Sequence, residues 1–124
     1  MSFITPKNYP HFIIDNLYKN SGDIDKDLSI LLENENVKLI KADLSKSIES
    51  LPINGVVDIV YHLAAINGTE LFYKIPYEVA TNNLLMTLNL LKYFEKNPVK
   101  KIIFSSTSEV YAGGYEFGLV KIPT

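Results

Sequence analysis

An α/β fold, a parallel sheet with flanking helices, is what this sequence predicts, and three observations carry the prediction. Short β-branched runs alternate with stretches of helical period, each apolar run closes on small or polar residues, and Val56 to Leu63 is apolar almost throughout. Strands alternating with helices form parallel sheets, and a strand apolar on both sides suits the middle of one. With 124 residues and 47% hydrophobic content, the chain has the length of one compact domain and not of two.

The elements follow in order. Phe12-Ile13-Ile14 closes on Asp15-Asn16, so Phe12 to Asp15 reads as a first strand. Ile24, Leu28, Leu31 and Leu32 then recur at helical spacing, with Ser21 or Asp23 available as the cap, and this helix ends between Asn34 and Asn36. Val37, Leu39 and Ile40 make a second strand ending at Asp43-Leu44, and Val56 to Leu63 makes the third. Pro76 opens a long helix, whose residues Ala80, Leu84, Leu88 and Leu91 keep one stripe until Asn97-Pro98 stops it. Leu85, Met86, Leu90 and Phe94 widen that stripe beyond one core-facing side, so the helix is either sandwiched or meets a partner. Lys101 to Phe104 is a fourth strand, and Glu109 to Thr124 reads as loop with an unfinished element.

Composition excludes several classes of function. A net charge of -2 with scattered basic residues gives no electrostatic footprint for nucleic acid or an anionic membrane. The absence of cysteine removes disulfide scaffolds and cysteine-rich zinc sites, and no metal site is expected. No apolar run approaches membrane-spanning length and MSFITPKNYPHF is not a signal peptide, so the expected location is cytoplasmic.

Ligands of open parallel sheets bind at the carboxyl ends of the strands, and the polar residues at those ends are the candidates. Asp15 can accept hydrogen bonds from ribose hydroxyls and would repel the extra phosphate of NADP, or it can simply start a turn. Asp43, one strand later, carries the same two readings, and two carboxylates at successive strand ends can bracket an adenine-ribose unit. His62-Leu63-Ala64-Ala65 runs into small residues that let a ligand approach the backbone, although small residues also pack well. His62 itself, inside an apolar run, reads as a satisfied core histidine. Asn83 lies within the long apolar helix, where an amide needs a partner, either a neighbouring loop or a site. Ser105-Ser106-Thr107 are hydroxyls at a strand end, placed to bond a substrate or to cap a turn.

Taken together, Ile14-Asp15-Asn16-Leu17, Ala42-Asp43-Leu44, Tyr61-His62-Leu63-Ala64-Ala65, Thr81-Asn82-Asn83 and Phe104-Ser105-Ser106-Thr107-Ser108-Glu109-Val110-Tyr111 resemble the extended short-chain dehydrogenase/reductases. Within them the chain resembles the NAD-dependent epimerase/dehydratase family acting on nucleotide sugars, over nearly its whole length from His11. The resemblance implies that residues 1–124 form a partial NAD(P)-binding Rossmann domain, with NAD as cofactor and a nucleotide sugar as substrate. It places Asp15 at the adenosine ribose with Asn16 beside it as a further cofactor-binding residue, Asp43 and Leu44 against the adenine, and Leu63, Ala64 and Ala65 along the pyrophosphate and ribose. It makes Asn83 the helix asparagine that supports the site, sets Ser105 and Ser106 beside the nicotinamide, and makes Thr107 the catalytic hydroxyl. In such enzymes a tyrosinate removes a proton while hydride passes to NAD, and the transient keto sugar is then epimerised, dehydrated or decarboxylated.

Two parts of the family pattern are not found. No glycine precedes Gly22, so the glycine-rich turn that places a pyrophosphate on a helix N-terminus is missing. No Tyr-x-x-x-Lys occurs: Tyr111 is followed at that spacing by Tyr115, Tyr115 by Leu119, and only Phe117 by a lysine, Lys121, which is read as coincidence. The expectation is a chain inactive by itself, with exposed sheet edges, that another chain or a second copy completes through the helix from residue 76 to 97. A non-catalytic nucleotide-binding or oligomerisation module is the alternative. A phosphoacceptor receiver domain ranks last, because nothing before Asp15 supplies its acidic pair.

Overall fold

The computed structural model describes residues 9–107. In it β1 (His11–Asp15) pairs in parallel with β2 (Val37–Lys41), and α1 (Lys26–Leu32) lies in the connection between them. β3 (Val57–His62) pairs in parallel with β4 (Val99–Phe104), and α2 (Thr69–Lys74) and α3 (Pro76–Lys96) lie between those two. This is the expected partial Rossmann-like α/β arrangement, parallel strands with flanking helices. Among the described residues, however, the strands form two separate two-stranded ladders, not one sheet.

The first helix starts later than its period suggests. Leu17 and Ser21 take left-handed backbone conformations on either side of a short 3-10 turn, Tyr18–Asn20, and Gly22 follows with φ 93°. Asp25, and not Ser21 or Asp23, is the cap, its Oδ1 accepting from the Leu28 amide at 2.8 Å. The helix stops at Leu32, short of the expected end at residues 34 to 36. Ile24 therefore falls outside it and, with Leu31, is exposed, while Leu28 and Leu32 are half-buried. The six-residue α2 has no apolar stripe to announce it, and an i,i+4 ion pair from Lys74 to Glu70 at 2.6 Å runs along its surface.

Pro76 opens α3 at its first turn, and Asn97 closes it, its Nδ2 donating to the Tyr93 carbonyl at 2.8 Å. The face turned to the core carries Val79, Met86, Leu90, Tyr93 and Phe94, whereas Leu84, Leu88 and Leu91 of the expected stripe are about half exposed. The helix thus has two apolar seams, and only one is covered. Met86, Leu90, Tyr93 and Phe94 join Leu44 and Leu51 in the core. Ile14 and Ile40 of the first ladder and Val57, Val60, Val99 and Ile102 of the second pack against it. One helix face therefore carries both ladders.

The coverage of β3 is one-sided. Val60 and His62 turn toward the core side, but Ile59, Tyr61 and Leu63 are exposed, so the strand that reads as buried on both faces is covered on one among the described residues. No described side chain is fully buried, and the core is thin for a chain of this length.

His62 is the core histidine the sequence suggests. It is 4% exposed, lies 5.4 Å from the Phe104 ring, and has Nε2 2.9 Å from Thr87 Oγ1. Thr87 donates its hydroxyl to the Asn83 carbonyl at 3.2 Å, so its oxygen accepts from His62 Nε2–H and Nδ1 carries the lone pair. That Nδ1 is buried with no partner. Burial lowers the His62 pKa below its ordinary 6.5. The unfolded chain then takes up this proton more readily than the folded one, so stability is full above pH 6.5 and falls as the pH drops below it. Denaturant midpoints measured between pH 7.5 and 5.5 should decline in the wild type and stay flatter in H62Q; equal slopes would remove His62 as the cause.

Candidate cofactor site

The first part of the site is built by turns that close on their own carboxylates and amides. Asp15 ends β1, and its Oδ1 accepts from the Leu17 amide at 2.6 Å; Asn16 Oδ1 accepts from the Tyr18 amide at 3.0 Å. These are Asx-type turns, and they hold Leu17 buried in its left-handed conformation. The Gly22 amide returns to the Leu17 carbonyl at 2.9 Å and closes the loop. Gly22 has φ 93°, a backbone conformation that side chains disfavour, so the turn that closes here calls for glycine.

The neighbouring strand supplies the second part. Asp43 lies just beyond β2, where the Ala42 amide donates to the Asp15 carbonyl at 3.1 Å and ties the two strand ends together. Asp43 Oδ1 accepts from Ser45 Oγ at 2.7 Å and from the Ser45 amide at 3.0 Å, with Lys46 Nζ 3.7 Å from Oδ2. The Ser45 hydroxyl chiefly, helped by the Ser45 amide and Lys46 against some desolvation, holds the Asp43 carboxyl below its ordinary range.

Between these parts lies an open cavity of about 710 Å³, whose walls include Asn16, Tyr18, Lys19, Gly22, Lys41 and Asp43. That size is within the range of small-molecule sites. Asn16 and Asp43 are thus brought together, but Asp15 is not in the cavity wall and one of its oxygens is engaged with its own backbone. Leu44 is a core residue whose carbonyl accepts from Asn89, so its side chain does not line the cavity.

The loop after β3 carries Leu63, Ala64 and Ala65. Leu63 and Ala65 are exposed, and Ala64 packs on the core. Asn83 braces this loop: its Oδ1 accepts from the Ile66 amide at 2.7 Å and its Nδ2 donates to the Ile66 carbonyl at 3.0 Å. It thereby imitates a strand partner, resolving its two readings in favour of the neighbouring loop. His62 and Phe104 are register partners, so Ser105, Ser106 and Thr107 leave β4 beside the loop that leaves β3. All three are exposed, and Ser106 adopts a left-handed backbone with φ 53°. Lys19 Nζ donates to Asn67 Oδ1 at 3.3 Å, joining the loop after β1 to the loop after β3. The strand-end residues therefore share one end of the fold, where an open α/β sheet binds its ligands.

Sequence reasoning missed the cavity's lysines and Asn89. Lys19, Lys41 and Lys46 line the cavity with Asp43, and nothing in their spacing distinguishes them from solvated surface lysines. Asn89 donates to the Leu44 and Lys46 carbonyls at 2.9 and 2.8 Å and fastens the loop after β2 to α3. The signal that finds Asn83, an amide within an apolar helix, would have found it. Residues 108–111 of the strand-end motif and the segment Phe117 to Lys121 lie outside the described residues. Among the described residues no cluster of His, Cys, Asp or Glu could hold a metal ion, and no helix is long and apolar enough to cross a membrane.

Residues 5–120 match the NAD dependent epimerase/dehydratase family. The chain belongs to that family. It is similar to the bifunctional protein GAL10 of Candida maltosa, at 32% identity over 90% of this chain and 76% of that sequence. It is also similar to GAL10 of Kluyveromyces lactis, at 31% identity over 93% of this chain and 17% of that protein. A UDP-glucose 4-epimerase of Dictyostelium discoideum is 30% identical over 83% of this chain and 30% of its own length. The chain thus spans most of one of these relatives and under a third of the other two.

Proposed function

We propose that this chain supplies the adenosine side of the NAD site in an enzyme that oxidises a nucleotide sugar to a transient keto sugar. The observation that carries the reading is the cavity in which Asn16 and Asp43 converge at neighbouring strand ends. The Asn16 amide and the Asp43 carboxylate there suit ribose hydroxyls and adenine, and Lys19, Lys41 and Lys46 suit the negative charge of a dinucleotide. When bound, NAD supplies the hydride acceptor.

In this reading residues 1–124 are a partial Rossmann domain of a cytoplasmic protein. Asn16 faces the ribose from the cavity wall, Asp15 offers it only the carboxylate oxygen that the Leu17 amide leaves free, and Asp43 and the Leu44 backbone face the adenine. Leu63, Ala64 and Ala65 line the rest of the cofactor on the loop that Asn83 holds. Ser105 and Ser106 lie by the nicotinamide, and Thr107 positions the sugar hydroxyl. The proton acceptor is not among these residues, so the chain by itself is inactive. Incubated with NAD and UDP-glucose, the purified chain should form no UDP-galactose by chromatography; measurable turnover would mean that the catalytic residues have been misplaced.

One observation favours an assembly role beside this one. Leu84, Leu88 and Leu91 form an uncovered seam on α3 at the alternating spacing of helix pairs, fitting a second copy or another chain. A stable dimer that binds no nucleotide would make assembly the main role.

A further inference from the structure

Asp43 reaches the cavity from a turn that lies beyond the strand ladder. The Lys46 amide returns to the Asp43 carbonyl at 3.1 Å, so residues 43–46 close one turn after β2. Within it the Ser45 amide and hydroxyl both donate to Asp43 Oδ1, at 3.0 and 2.7 Å. Asp43 Oδ2 has Lys46 Nζ at 3.7 Å, on a side chain 80% exposed, and a surface pair of that kind orders little. Oδ2 is therefore the oxygen left for a ligand in the wall that Asp43 shares with Asn16.

The polar hold on this turn comes from α3. Asn89 is half-buried, and its Nδ2 donates to the Leu44 carbonyl at 2.9 Å and to the Lys46 carbonyl at 2.8 Å. A carboxamide nitrogen carries two hydrogens, one for each carbonyl. The two acceptors stand on either side of Ser45, so the amide spans the residue that holds Asp43. The Leu44 side chain adds an apolar anchor in the core that Leu90, the next residue of α3, shares. Apolar burial is non-directional: it keeps the turn near the helix, and the two hydrogen bonds fix how its peptide groups are rotated. Asn89 itself does not line the cavity.

We infer that Asn89 sets how tightly this cavity holds a nucleotide, by fixing the turn that presents the Asp43 carboxylate. It is a positioning residue that touches no ligand, and its role rests on the reading of the cavity as an adenosine site. Without the amide, the peptide groups around Ser45 are free to rotate and Ser45 releases Oδ1. Asp43 then meets the nucleotide from a spread of positions, and the ordering has to be supplied at binding, which weakens affinity.

N89L tests this, since leucine forms helix well, carries no charge and donates no hydrogen bond. Adenosine 5′-monophosphate, titrated into the 15N-labelled chain, should bind N89L about tenfold more weakly than wild type, the equivalent of one hydrogen bond to a charged group. In a D43N background the same substitution should weaken binding by less than about twofold, because its route runs through that carboxylate. Equal weakening in both backgrounds, the mark of a general loosening of the fold, would overturn the inference. No saturable binding by the wild type would remove the adenosine reading and this inference with it, whereas wild-type binding that N89L leaves unchanged removes the inference alone. A second readout needs no nucleotide. Ser45 chiefly holds the Asp43 carboxyl below its ordinary range, so the carboxyl carbon of Asp43, followed by 13C NMR, should titrate at higher pH in N89L and at the wild-type pH in L91A. A titration unmoved in N89L would also overturn the inference. If N89L does not fold, N89S, too short to span the two carbonyls, carries the same measurements.

Discussion

Replacing Asn83 with alanine is expected to lower the unfolding free energy by about 2–4 kcal/mol, since two hydrogen bonds are lost and the Ile66 amide and carbonyl are left without a partner. Each bond contributes about 1 kcal/mol net, and each stranded, partly buried backbone group adds a similar amount. The loss is large for a domain whose total stability is on the order of 5–15 kcal/mol. N83D keeps the acceptor for the Ile66 amide but turns a carboxylate oxygen toward the Ile66 carbonyl, so it should not rescue the wild type. Urea unfolding followed by circular dichroism measures both. A change below about 0.5 kcal/mol in N83A, the level of an unremarkable surface substitution, would mean that Asn83 does not hold the loop.

Leu90→Ala is expected to cost a similar amount, about 2–5 kcal/mol. Leu90 is the most buried of the core residues at 3% exposure, and it sits where α3 meets both ladders. Its removal opens a cavity in the core against which both ladders pack. Leu91, the next residue, is 49% exposed, and L91A should stay within about 0.5 kcal/mol of wild type in a monomeric sample. Similar losses in the two variants would mean that the assignment of the two α3 seams is reversed.

The contrast between Leu90 and Leu91 marks the limit of what the sequence could convey. The period of α3, its proline start and its asparagine stop were legible because they depend on local rules. Which of its apolar seams is covered was not, because that depends on where distant strands lie, and the stripe of Leu84, Leu88 and Leu91 proved to be the open one. The same difference runs through the site. The strand-end carboxylates and the helix amide Asn83 stood out by residue type and place. The engagement of Asp15 with the Leu17 amide, the burial of Leu44 in the core and the lysine rim of the cavity depend on loop geometry that spacing does not encode. The late start of α1 has a similar origin. The left-handed turns at Leu17 and Ser21 use up residues that would otherwise begin the helix.

The separation of the sheet into two ladders bears on function as well as on stability. Thr107 and the cavity at Asp43 lie on different ladders, so their relative position depends on the shared core and on links such as Lys19–Asn67.

The central claim is that the cavity at the ends of β1 and β2 takes the adenosine end of a dinucleotide. Titration of the 15N-labelled chain with adenosine 5′-monophosphate, followed by amide chemical shifts, tests it most directly. Saturable shifts concentrated at Asn16, Tyr18, Gly22, Ala42 and Asp43, and weakened in D43N, are the predicted result. No saturable shift, or shifts confined to residues 105–107 and the exposed face of α3, would contradict it.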